Sequence, residues 1–261
     1  MQGVSINIFV KTKENENEKP AVIHHAEMFG KREVKYENLT LHSLDTLEWK
    51  ILQPVSPNYF FVKKNFESLE VYNKGFNISE AFNLMSSGIK THRDHLVVDF
   101  DKKALSERIV QFYDVDSFTD SEVQKKFSLK NNSDFKIETA RRSDSFNNEK
   151  LHLITYRPFD ARWIYFDTSL IDRGREKVMN HILQGSICLI CFRQSRNNDE
   201  GTFFLTKHLV GKDALSSLDT CSVFPLYLYS DQKDKLDLPI NNNRTPNLKE
   251  AFVKELVESL S

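Results

Sequence analysis

Apolar and polar residues alternate from the start of the chain. Val4-Ser5-Ile6-Asn7-Ile8-Phe9-Val10 is rich in β-branched residues and predicts a strand with no lead-in. Lys11 to Lys19 is a run of Lys, Glu and Asn suited to a solvated hairpin loop, and Pro20 to Ala26 predicts a second strand antiparallel to the first. An isolated hairpin is marginal in water. The opening therefore reads as the tail of a larger sheet, and the chain as the C-terminal part of something longer.

Gly30-Lys31-Arg32-Glu33 reads as a charged turn and Ser43 to Lys50 as a short connector. Tyr59 to Val62 and Leu96 to Phe100 predict strands, and Ile78 to Met85 a short helix or apolar loop. Lys102 to Tyr113 places Leu105, Ile109 and Phe112 at helical spacing, with Asp101 as its cap. Asp120 to Phe127 predicts another short helix, followed by a loop at Asn131 to Asp134.

From Leu151 the pattern turns to β. His152 to Tyr156 and Trp163 to Phe166 flank Pro158-Phe159-Asp160. Arg173 to Leu183 is helical. Ile187 to Phe192, Phe203 to Thr206 and Val223 to Tyr229 are strands. Asp231 to Thr245 is a charged, Asn-rich linker. Leu248, Phe252, Leu256 and Leu260 recur every fourth residue and predict a final amphipathic helix.

Composition narrows the class. The 261 residues are 39% hydrophobic and carry 20 Phe, enough for a core. The net charge of -1 excludes a uniformly basic nucleic-acid binder but not a local basic face. No apolar run approaches the length of a membrane span, which predicts no membrane partner. Three cysteines point to a reducing, cytoplasmic compartment.

Most motifs that carry chemistry fail on geometry. Cys188-Leu189-Ile190-Cys191 lies inside a strand-like run, where alternation puts the two thiols on opposite faces; a redox pair belongs at a helix N-terminus. His24-His25 would also point to opposite faces, and His92-x-x-His95 has no third ligand at a recognisable spacing. Glu48-Trp49-Lys50 is half of a nuclease motif, but Asp45 is too close to share a cation with it. Ser56-Pro57-Asn58-Tyr59 has the wrong order for an adenine-binding Asn-Pro-Pro-Tyr loop. There is no glycine-rich phosphate loop and no nucleophile elbow. No catalytic, metal or cofactor residue is assigned.

Arginine is unevenly distributed. Eight of the 12 arginines fall between Arg141 and Arg196, where only Lys150 and Lys177 represent the 24 lysines. The planar guanidinium fork suits phosphate and the guanine edge, while Gln and Asn suit adenine. Arg193-Gln194-Ser195-Arg196-Asn197 follows a strand directly, so Arg193, Gln194, Arg196 and Asn197 are the first candidates to read bases. Arg141, Arg142, Arg173, Arg175 and Lys177 are candidates for phosphate or base contact, and Thr91 and Arg93 in a tight polar turn are a third group. Against this, nearby Asp144, Asp160, Asp167, Asp172 and Glu176 could pair with many of these arginines.

Several segments together are similar to a known family. They include Gln2 to Lys11, Gly30 to Glu33, Tyr59 to Val62, Gly88-Ile89-Lys90-Thr91-His92-Arg93-Asp94, and Tyr156-Arg157-Pro158-Phe159-Asp160-Ala161-Arg162. Arg175 to His181, Arg193-Gln194, Phe224 to Tyr229 and Thr245 to Leu248 follow in the same order. The chain resembles the C-terminal specificity region of type ISP-like restriction–modification enzymes and related single-chain N6-adenine DNA methyltransferases.

The resemblance implies a mixed α+β fold in which residues 1–45 are a β-hairpin left over from a methyltransferase sheet. Residues 46–130 would be a mixed connector, and 131–261 a β-rich target recognition core with a C-terminal helix. It implies double-stranded DNA and an upstream methyltransferase domain as partners. The S-adenosylmethionine pocket would lie upstream, leaving this part without cofactor or catalysis. Two other readings stay open: a protein-interaction module that docks a motor or partner subunit, and a hydrolase using His152 or His208.

Overall fold

The computed structural model describes residues 5–11, 21–56, 58–193, 203–230 and 244–260. The chain divides into two compact units, Met1–Gly75 and Phe76–Ser261.

The first unit holds β1 (Ile23–His25), α1 (Arg32–Leu41), β2 (Lys50–Leu52) and α2 (Leu69–Asn73). The expected pairing of the two opening strands is not what forms. Residues 5–11 are not a strand, and β1 pairs antiparallel with β2 instead, Ile23 opposite Leu52 and His25 opposite Lys50. Ile6, Ile8, Phe9 and Val10 are all exposed, so nothing within the unit rewards their ordering into a strand. The charged turn at Gly30 is the start of α1, which buries no residue. Tyr59 to Val62 is likewise exposed and forms no strand. Among its described residues the unit buries none, so it has no core of its own.

The second unit begins with α3 (Ile78–Ala81), β3 (Ser86–Ser87), α4 (Asp94–Val97) and β4 (Val98–Asp99). Leu96 and Val97, expected in a strand, instead form a helical turn in which both amides donate to the Arg93 carbonyl. Short apolar runs do not distinguish the two states by pattern. Helix α5 (Lys102–Tyr113) begins where predicted: Asp101 Oδ1 accepts from the Ala104 amide at 2.8 Å. Leu105, Ile109 and Phe112 are its buried stripe. Helix α6 (Asp120–Lys126) opens on a capping box between Thr119 and Glu122. Helix α7 (Ile137–Ser143) follows.

Strands β5 (Leu151–Arg157) and β6 (Asp160–Tyr165) make the central hairpin, joined by Pro158 and Phe159. Then come α8 (Glu176–Leu183), β7 (Cys188–Phe192), β8 (Phe203–Thr206), β9 (Leu209–Val210), β10 (Cys221–Pro225), β11 (Tyr227–Tyr229), β12 (Arg244–Pro246) and α9 (Glu250–Leu260). They complete two four-stranded sheets, ordered β4-β6-β5-β9 and β3-β10-β7-β8, and a β11-β12 pair. The Thr155 and Thr206 hydroxyls bond at 2.8 Å, tying one sheet to the other.

One core joins the helices of residues 94–143 to both sheets, with Leu96, Leu105, Ile109 and Phe112 in the same cluster as Ile154, Ile164, Ile190 and Val223. From Phe76 onward, the segment expected as a connector up to residue 130 lies in the same compact unit as residues 131–261 and contributes to its core. Its buried apolar stripe has no other place to go. Cys188 belongs to this core and Cys191 to a second cluster with Phe82 and Phe224, so the two thiols do lie on opposite faces of β7. Leu248 and Phe252 pack on that second cluster, whereas Leu256 and Leu260 are exposed. Asn247 fixes the approach to α9: its fully buried amide accepts from the Leu84 amide at 2.8 Å and donates to the Leu84 and Pro225 carbonyls, each at 2.7 Å.

Candidate nucleic-acid interface

The proposed DNA-contacting residues separate into internal and external groups. Arg141 is internal. Its side chain is fully buried and donates to the carbonyls of Phe112, Asp114 and Phe118, each at 2.7 Å, and to Asp120. It closes the C-terminal end of α5 and the loop after it, so its guanidinium is spent inside the fold. Arg93 is internal too: Nε donates to the Leu170 carbonyl at 3.0 Å, the guanidinium lies 3.9 Å from the Phe135 ring centre, and it pairs with Asp172. Thr91 is buried with its hydroxyl on Asp94. In this turn alternate side chains go inward, and the two chosen from the sequence are the inward ones.

Arg142 is half exposed but shares Asp120 at 3.0 Å. Asp120 is pushed up by partial burial, yet the bonds from Arg142 and Arg141 outweigh this and hold it below the usual carboxylate range. Arg175 sits at φ +60 before α8 with its Nε buried and without a bond partner among the described residues. Arg173, Lys177 and Arg193 are exposed. Gln194, Arg196 and Asn197 lie outside the described residues. The excess of arginine is therefore in part structural, since Arg162 also spends its fork on Asp160, at 2.8 to 3.1 Å.

What the fold brings together is a cleft of about 360 Å³ that the sequence reading missed. Three segments supply most of its lining: Ile89 to His92 with Asp94 and His95, the end of β5 at Tyr156 and Arg157, and Gly211 to Asp213. Main-chain bonds set them side by side. The Ile89 amide donates to Val210 O at 2.7 Å, Lys212 N to Ile89 O at 2.8 Å, and Gly211 N to Thr155 O at 3.1 Å. Lys90 and Arg173 exchange both backbone bonds at 3.0 Å. Gly88 permits this approach, since a Cβ there would lie 2.4 Å from the Gly211 carbonyl oxygen.

Three cations and two carboxylates line the cleft. Lys90 makes no side-chain bond to another described residue, and Arg157 donates only to the Tyr156 carbonyl, at 2.7 Å. Lys212 lies 3.4 Å from Asp213. The other acid, Asp94, accepts from the Thr91 and Tyr156 hydroxyls. His92, at φ +57, points outward and bonds Asp172. Burial pushes the Asp172 carboxyl up, but His92 and Arg93 together hold it below its usual range. Two guanidiniums lie over the Tyr156 ring, Arg162 at 3.9 Å and Arg157 at 4.7 Å from its centre. Such a surface can bind phosphate oxygens and stack flat groups.

Neither candidate hydrolase histidine has the needed partner. His152 lies against the Phe166 ring and His208 bonds Thr206 through its backbone; neither imidazole bonds a serine or carboxylate among the described residues. No group of three or more metal-ligating side chains occurs among the described residues. No described helix is long and apolar enough to cross a membrane.

Residues 80–260 match the family described as the Type ISP C-terminal specificity domain. The chain belongs to this family. The match falls within the second unit and contains every residue of the cleft. Comparison with curated proteins returns no match. Among solved structures, the specificity domain is similar to part of DrdV in a DrdV–DNA complex, with TM-score 0.56 and 17% identity over 85% of this chain. It is similar to part of a nuclease-deletion mutant of the Type ISP restriction-modification enzyme LlaGI in complex with a DNA substrate mimic, with TM-score 0.55 and 15% identity over 90% of this chain. It is also similar to part of the ATP-dependent Type ISP enzyme LlaBIII bound to DNA, with TM-score 0.56 and 19% identity over 80% of this chain. At these identities the likeness is one of fold. This chain spans only 23%, 23% and 14% of those chains.

The Gly88 to Asp94 and Tyr156 to Arg162 segments were visible in the sequence as family-like runs. Their convergence was not, because it depends on backbone bonds between residues far apart in the chain.

Proposed function

We propose that this chain recognises a specific sequence in double-stranded DNA on behalf of a larger restriction–modification N6-adenine methyltransferase, and is itself non-catalytic. The family match over residues 80–260 carries this reading. The three similar structures support it, since each was determined with DNA or a DNA mimic. Lys90, Arg157, Lys212 and the adjacent Arg173 neutralise phosphates and set the register of the duplex. Arg193, at the exposed end of β7, reads a base edge, with Gln194, Arg196 and Asn197 beside it in sequence. Arg175 and Lys177 add phosphate contacts at the start of α8. The methyltransferase and its S-adenosylmethionine belong upstream.

Fluorescence anisotropy tests the reading. Duplexes enriched by this chain from a randomised pool bind more tightly than scrambled ones at the same salt. Arg193→Ala costs about 1–3 kcal/mol on the enriched duplex only. Lys90→Ala weakens both and lowers the salt slope by about 1. Equal affinity of the unmutated chain for both duplexes refutes specific recognition. A second reading, docking of a partner subunit, is favoured by the exposed Val257 and Leu260 of α9. It predicts that charge reversal at this end of α9 abolishes a protein complex and leaves DNA affinity unchanged.

A further inference from the structure

Phe159 occupies a position that folding alone does not explain. Arg157 and Asp160 are opposite each other in the β5–β6 ladder, so Pro158 and Phe159 are the whole turn. Phe159 adopts φ +62, a conformation that L-residues resist and that turns usually assign to Gly or Asn. The residue is 97% exposed. A large apolar ring thus stands in solvent at the point where glycine would be easier for the backbone and for hydration.

The mount is rigid. The hairpin ladder runs from Leu151 opposite Tyr165 to Arg157 opposite Asp160, with one irregularity between Thr155 and Arg157. Arg162 grips Asp160, the residue after Phe159, through three hydrogen bonds. Phe204 meets the Phe159 ring edge-on with 5.5 Å between centres. The surroundings are cationic: Arg157, two residues back, lines the cleft together with Lys90 and Lys212. Asp160 is neutralised by Arg162, and the cleft's two carboxylates, Asp94 and Asp213, are outnumbered by its three cations. A projecting aromatic beside a cleft in which Lys90 and Arg157 have no carboxylate partner among the described residues suits a partner that combines phosphates with flat, stackable rings.

We infer that Phe159 is a wedge that enters a groove of duplex DNA and unstacks a base step while the neighbouring cleft holds the backbone. The inference rests on the DNA-recognition reading and adds that the duplex is distorted on binding.

The probe is a duplex enriched by this chain from a randomised pool, with 2-aminopurine substituted at successive adenines; this base brightens when unstacked. The unmutated chain brightens the probe at one step. Phe159→Gly abolishes that signal and weakens binding roughly tenfold or more. Its thermal melting is not lowered, because glycine adopts this turn without strain. Phe159→Trp retains the signal. Three results overturn the wedge: no brightening at any position, brightening that survives in F159G, or affinity unchanged in F159G. The last is expected if the ring instead docks on protein. With any of the three, DNA recognition still stands provided enriched duplexes are bound over scrambled ones. If no duplex is enriched at all, both the reading and the wedge fail.

Discussion

Arg141→Ala tests whether the arginine cluster is read correctly as partly internal. The guanidinium satisfies three carbonyls, those of Phe112, Asp114 and Phe118, and pairs with Asp120. Phe112 lies in the last turn of α5, where carbonyls lack intrahelical donors. Each carbonyl left unsatisfied costs about 1–3 kcal/mol, so three set an upper limit near 9 kcal/mol. Water entering the space and relaxation of the loop reduce this. Asp120 keeps Arg142 at 3.0 Å and is about one-third exposed, so it adds little. Deletion of one partner of a buried charged group usually costs about 3–5 kcal/mol, and that is the expected loss here. It is a large fraction of the roughly 5–15 kcal/mol that stabilises a domain. Arg142→Ala, one residue away but half exposed, costs under about 1 kcal/mol. Urea unfolding of both variants measures this directly. If R141A unfolds within about 1 kcal/mol of the parent and instead loses salt-dependent DNA affinity, the side chain faces DNA and the internal assignment is wrong.

Other predictions concern acid, thiols and packing. Asp120, Asp167 and Asp172 have carboxyls held below the ordinary 3.8 in the folded chain, so folding releases protons there. Their stabilisation is complete above that value and is lost as pH falls through the lower folded values, giving a circular-dichroism transition below about pH 4. A transition that is unchanged in Asp172→Asn removes that residue from the explanation. Burial pushes the Cys188 thiol to about 12 and the Cys221 thiol to about 11. Both should stay unreactive toward a disulfide reagent at neutral pH until denaturant is added, and prompt labelling of the native chain contradicts the packing of β7 and β10. Gly88→Ala drives a methyl group into the Gly211 backbone and should destabilise by about 3 kcal/mol or more, with weaker DNA binding as the cleft opens. A thermal melt within a degree or two of the parent would show that the two segments can separate freely.

The sequence by itself determined the local elements wherever one short-range rule dominated. Helix α5 was legible because Asp101, Leu105, Ile109 and Phe112 state its cap and buried stripe within a few turns. The β5–β6 hairpin and the opposite-facing cysteines followed from the two-residue period of a strand. The family-like runs were legible as well. Partners distant in sequence were not. The strand at Ile23 pairs with Lys50–Leu52 rather than with its nearest apolar neighbour, and α9 docks only through Leu248 and Phe252. Only the tertiary structure separated Arg141 and Arg93 from the exposed cations, because identical guanidiniums acquire opposite roles from the carbonyls and carboxylates that surround them. It alone placed Lys90, Arg157 and Lys212 around one cleft, since that meeting depends on backbone bonds from Ile89 to Val210 and from Gly211 to Thr155, spans that no local pattern encodes.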